Sequence, residues 1–164
     1  MTNLEAQIQL LIDNAPQDGV TPKLVATIAP VLRAIAQNLQ HSQYYILQNL
    51  QERWVLTTLK HKDNPAPKGT TGEKRVVYAF PRLQDVALSS SLGVVDPQTV
   101  AKPMPVIHIL FQLVALEPVD SIVFFETPGT TTNAIEVERT DLQKMIEQKL
   151  QQHIPIKQVP PDIA

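Results

Sequence analysis

The sequence predicts an α+β fold, an antiparallel sheet of four to five strands packed with helices and preceded by an N-terminal helical extension. Three observations carry that expectation. Ser121-Ile122-Val123-Phe124-Phe125 is β-branched and aromatic on both faces, as in a central strand covered on both sides. Pro128-Gly129 then supplies a turn, and Ile135 and Val137 alternate with Glu136 and Glu138, giving a strand with one dry and one wet face. Thr140-Asp141-Leu142-Gln143 reads as a capping box opening a helix.

The other elements follow in chain order. Thr2-Asn3-Leu4-Glu5 is a second capping box, opening a helix with Leu4, Ile8, Leu11 and Ile12 on one face. Thr21-Pro22 starts the next helix with Thr21 as N-cap and proline at the first position. Pro30 is expected to kink or break it, with the helical pattern resuming from Val31 to Leu39. Tyr44 to Leu47 reads as a strand, Asn49 to Glu52 as a tight turn and Arg53 to Lys60 as a second strand; a helix over Ser42 to Gln51 is the competing reading. Lys74 to Phe80 is a third strand, with Val76, Tyr78 and Phe80 opposite Val77 and Ala79. Leu83, Val86 and Ala87 suit a short helix stopped by Ser89 to Ser91 and Gly93. Pro103-Met104-Pro105 reads as a rigid connection. Ile107, Leu110, Phe111 and Val114 then fit a buried helix, with His108 and Gln112 its polar stripe.

Three parts are expected: a helical extension over 1–40, an α+β domain over 41–154 and an extended Pro-rich tail over 155–164. The chain's 164 residues suffice to bury a core. Cysteine is absent, which excludes disulfides and thiol chemistry. A net charge of -2 argues against a dedicated nucleic-acid binder. No apolar run is long enough for a membrane span, and the N-terminus lacks a signal-peptide pattern, so a cytoplasmic setting is expected.

No catalytic constellation stands out. His41, His61, His108 and His153 lack metal-ligand spacing, so no metal and no cofactor are expected. His108 is read as a hydrogen-bonded core histidine. The run Lys68-Gly69-Thr70-Thr71-Gly72-Glu73-Lys74 fails the phosphate-loop pattern because a strand, not a helix, follows. Lys60, Lys62, Lys68, Lys74, Arg75 and Arg82 make the middle of the chain locally basic and are the candidate ligand or partner-binding residues; the plainer reading is a solvated hairpin tip. Among the later carboxylates Glu126 is singled out, at the end of an apolar strand. Trp54 and Tyr78 are expected to pack across adjacent strands, and Tyr44 and Tyr45 suit an exposed interface.

Tyr78-Ala79-Phe80 ending a strand, a short helix, a Pro-rich segment, a buried helix, Val119-Asp120-Ser121-Ile122-Val123-Phe124 and the Pro128-Gly129 turn together resemble the N-terminal domain of the SseB-like (enhanced serine sensitivity) family, over about residues 53–150. The family pattern has Asp-Gly before the apolar strand and Asn-Pro-Gly after it; here Ser121 and Thr127 stand in place of the glycine and the asparagine. The resemblance implies a protein-interaction or regulatory domain and no established active site. The expectation is therefore a non-enzymatic interaction domain with a protein partner, possible self-pairing through the amphipathic N-terminal helices, and no membrane or nucleic-acid role. The alternative is a small-molecule or phosphate-ligand module using the basic 60–82 hairpin.

Overall fold

The computed structural model describes residues 3–60, 73–92 and 98–153. The order is α1 (Asn3–Asn14), α2 (Thr21–Ala36), β1 (Gln43–Gln48), β2 (Thr57–Lys60), β3 (Glu73–Phe80), a 3-10 helix (Leu83–Leu92), β4 (Val100–Pro105), α3 (Val106–Ala115), β5 (Ser121–Phe125), β6 (Ala134–Glu138) and α4 (Arg139–His153). The fold is α+β, as the sequence predicts. The Lys62 and Lys68 candidates and the 155–164 tail lie outside the described residues.

The sheet runs β4-β1-β3-β5-β6, and β2 pairs with the N-terminal half of β3, on the flank that β1 occupies farther along. It has six strands rather than four or five, and it is mixed: β3 and β5 are parallel, with Val76 beside Ser121 and Ala79 beside Phe124. The crossover between them carries β4 and α3, long enough to return the chain to the same end of the sheet.

The additional strand is β4, over the segment expected to be a rigid connection. It pairs antiparallel with β1 from Gln43–Pro105 to Gln48–Val100. Prolines are tolerated there because β4 is an edge strand, with one side that needs no backbone donors. The second strand is shorter than expected: only Thr57–Lys60 joins β3, while Trp54 makes an isolated bridge to Gln48.

Alternation along β3 sorts two cores. Val77 and Ala79 join Tyr44, Ile46, Ile122 and Phe124 under the helices. Val76, Tyr78 and Phe80 join Leu47 and Phe125 on the opposite face, partly covered by Val86 and Leu88 of the 3-10 helix. Trp54 belongs to the first core and Tyr78 to the second, so they do not pack together as expected; Tyr78 stacks on Phe125, with ring centroids 5.6 Å apart. The 3-10 helix continues through the serines instead of stopping at them.

Residues 3–40 are tied into the same core. Val25, Ile28, Ala29, Val31, Leu32 and Ala36 of α2 are buried. Helix α2 passes through Pro30 as one 16-residue element. An interior proline costs roughly 3 kcal/mol, but each large aliphatic side chain buried around it contributes roughly 1.5–3 kcal/mol, so packing wins. From α1, the Gln7 amide donates to the Ser42 carbonyl at 2.8 Å and accepts from the Ile107 N–H at 2.9 Å, joining the start of β1 to the first turn of α3.

The helix starts differ from the capping signals. Val20, not Thr21, sits at the N-cap of α2, and Asp18 just before it accepts from the Val20 and Thr21 amides at 2.9 and 2.7 Å. Those bonds hold its carboxyl down at about 2. Helix α4 begins at Arg139, directly after β6, so Thr140 already lies inside its first turn. Gln143 instead reaches the Val114 carbonyl of α3 at 3.4 Å.

Candidate functional site

The residues after β1 build an open groove. Asn49 organises the turn: its side-chain oxygen accepts from the Gln51 and Arg53 amides at 2.9 and 3.0 Å, and its backbone N–H donates to the Arg53 carbonyl at 2.8 Å. Glu52 takes a φ of 64°, the left-handed region that a tight reversal demands. The chain then doubles back so that the Val55 N–H donates to the Leu47 carbonyl at 2.9 Å. This places Trp54 against the end of β1 and projects Arg53 and Leu56 outward.

The opposite wall comes from α3 and the turn after it. The Leu116 amide donates to the Leu113 carbonyl and the Val119 amide to the Leu116 carbonyl, a compact exit from the helix that presents Leu116, Pro118 and Val119. Edge strand β4 adds Lys102, opposite Ile46. The enclosed volume is about 610 Å³, within the range of ligand-binding clefts. Gln48, Trp54 and Val119 are its buried floor; Glu52, Arg53, Leu56, Lys102, Gln112 and Pro118 are exposed along its rim. Its lining offers an indole and aliphatic walls, two side-chain amides, two cations and one carboxylate.

None of the described hairpin candidates, Lys60, Lys74, Arg75 and Arg82, is among the residues that line this groove. Lys74 forms ion pairs with Glu136 and with Glu138, the latter at 3.1 Å. Burial pulls its ammonium pKa down, and the two carboxylates more than reverse that, leaving it above the ordinary lysine value. Glu136 shows the mirror effect: burial raises its carboxyl, while Lys74 and the Ser121 hydroxyl bring it below the usual range. Arg75 lies 3.9 Å from Asp120, whose carboxylate accepts the Arg75 amide at 2.7 Å. Arg82 makes a two-pronged contact with Asp85 at 2.8 and 3.1 Å. Lys60 pairs through its backbone with Glu73. Lys74, Arg75 and Arg82 are thus spent on holding strands and turns together rather than gathered into a pocket.

The other end of the sheet is polar and closed. Glu126 is 1% exposed. It accepts from the Gln40 amide at 2.7 Å and the Tyr44 hydroxyl at 2.5 Å, while its carbonyl meets the His41 ring at 2.8 Å. Burial first, and the adjoining carboxylate second, push the Tyr44 phenol well above its ordinary pKa. Tyr44 is fully buried, not the exposed interface residue expected. Next to this cluster, Asp85 accepts from the Gly129 amide at 3.0 Å, fixing the turn where Gly129 adopts a φ of 85°. Arg82 holds the Asp85 carboxyl below the usual carboxylate range. Glu126 is therefore a buried anchor, with both carboxylate oxygens engaged.

His108 is half-buried; its ring meets the Gln7 backbone, as expected of a hydrogen-bonded histidine on this helix, while its Nε2 has no hydrogen-bond partner among the described residues. Burial lowers its pKa, offset in part by the Gln7 backbone. No cluster of three or more potential metal ligands occurs among the described residues, and no described helix is long and apolar enough to cross a membrane.

Sequence reasoning missed Arg53 and Lys102 as site residues. Lys102 became visible only with β4, and Arg53 only with the turn that Asn49 closes. The adjacency of Arg53 to the single tryptophan was the one available signal. No protein-family model matches the chain, and no curated protein matches it.

Proposed function

We propose that this protein is a non-enzymatic, cytoplasmic protein-interaction or regulatory domain, and that its working surface is the Trp54 groove. The observation that carries the reading is the contrast between that groove, apolar-floored and rimmed by exposed polar groups, and the polar clusters elsewhere, whose groups are engaged with one another. The SseB-like resemblance supports the same class of role. The test is affinity capture from native extract with wild-type protein and with Leu56→Asp, a change on the exposed rim. A stoichiometric partner retained by wild type and lost by the variant is expected. A partner retained equally by both would move the interaction surface away from the groove.

Self-association through the N-terminal helices is the second reading. It draws on Leu10, Val20 and Leu24, which remain exposed although the inner face of α2 is consumed by the core. Solution mass would decide it: a dimer that Val20→Asp converts to monomer is the expected result, and a monomeric wild type at high concentration removes it.

A further inference from the structure

We infer that the groove takes an acidic, extended segment of polypeptide, with an apolar side chain of that segment against Trp54 and its carboxylates on Arg53 and Lys102. This rests on the interaction reading above and names the partner's chemistry.

Charge is the first support. Lys74, Arg75 and Arg82 each have a carboxylate within ion-pair reach. Arg53 and Lys102 have none among the described residues, although both are exposed and both line the groove. They come from different elements, the turn after β1 and the edge strand β4, so two separated cations face one binding surface. Glu52 is the single carboxylate on that rim and leaves it net positive. Unpaired cations flanking an apolar floor are complementary to an anionic ligand with an apolar body.

Shape is the second. Only Gln48, Trp54 and Val119 of the lining are buried; the remainder faces water. Small-molecule sites cover most of their ligand's surface, whereas an open groove suits a chain that enters and leaves at its ends. The third support is hydrogen-bonding capacity. Gln48 and Gln112 each carry a donor and an acceptor, the pair that an extended backbone needs. Neither side chain is engaged in a hydrogen bond among the described residues.

Trp54 is the only tryptophan in the chain, so its emission reports on the groove directly. The probe is a short end-blocked peptide of alternating leucine and glutamate. Two matched peptides serve as controls, one with lysine in place of glutamate and one with serine in place of leucine. The acidic peptide is expected to change the emission saturably, with affinity falling as salt rises. R53E combined with K102E is expected to weaken that binding by about tenfold or more and to strengthen binding of the lysine peptide. Both positions are exposed, so the variant is expected to fold; circular dichroism and the K102E single variant check this. Equal binding of the acidic and lysine peptides by wild type, or undiminished acidic binding by the double variant, overturns the inference. Saturation by the lysine peptide alone overturns the acidic class while leaving the groove as an interaction surface. No response to any peptide overturns both.

Discussion

The two ends of strand β1 use polar residues in opposite ways. At its start, Tyr44, Glu126, Gln40 and His41 close on one another, and Asp85, Arg82 and Gly129 do the same beside them. At its finish, Arg53, Lys102 and Gln112 face solvent around a groove whose buried floor includes Gln48. The closed end joins the start of β1 and the connection before it to the end of β5, with the 3-10 helix beside them, segments far apart in the chain. A buried carboxylate there is tolerated because every oxygen has a donor. At the open end Arg53 and Lys102 have no ion pair among the described residues, and in the proposed function they meet a partner. Burial of a charged residue is thus a guide to architecture in this protein, and exposure beside an apolar floor is the guide to function.

The comparison breaks first at the closed end. Tyr44→Ala removes a fully buried ring that packs edge-on to Phe124, with centroids 4.9 Å apart, and takes the Glu126 donor with it. It is expected to cost about 3–5 kcal/mol, read as a lowered denaturation midpoint; a loss under about 1 kcal/mol would show that the cluster is not an anchor. Glu126→Gln keeps the shape and replaces one acceptor oxygen with a donor group that faces the Gln40 amide or the Tyr44 hydroxyl. It is expected to cost about 1–3 kcal/mol, measured by urea denaturation. A neutral result would mean that the two donors find other partners.

Acid sharpens the comparison. Asp85 and Glu136 have folded-state pKa values below their ordinary ones. Each therefore adds stability that is fully present above the unfolded carboxyl pKa of about 4 and is lost as pH falls through the lower folded value. Stability should drop below about pH 4, and Asp85→Asn should flatten part of that drop. An unchanged acid profile in Asp85→Asn would remove Asp85 from the account. The smallest effect belongs to the open end: R53E and K102E are each expected to change stability by no more than about 0.5 kcal/mol. A larger loss would mean that those cations support the fold.

How much of this was legible in the sequence depended on the range of the interaction. The β5–turn–β6–α4 run was readable because alternation and turn chemistry are local, and the two faces of β3 were readable for the same reason. Strand β4 was not. Pro103 and Pro105 argue locally against a strand, and only the neighbouring β1, met across the sheet, makes an edge position available to them. The parallel β3–β5 pair is likewise a property of the crossover, not of either strand. The start of α2 was misplaced by only a few residues, because Asp18, three positions before Thr21, takes the amide contacts there. Glu126 stood out in the sequence because a carboxylate ends an apolar strand; its partners Gln40 and Tyr44 lie more than eighty residues away and left no local trace. The groove was illegible for the same reason, since its walls come from the β1–β2 turn, β4 and the end of α3.

The most direct test of the division between the two ends is chemical-shift mapping of the isotopically labelled protein during titration with the leucine–glutamate peptide. The account predicts that the shifted amides cluster at 48–56, at Lys102 and at 112–119, while those of His41, Tyr44, Asp85 and Glu126 stay in place. Shifts centred on the closed end, or on the 60–82 hairpin, would contradict it.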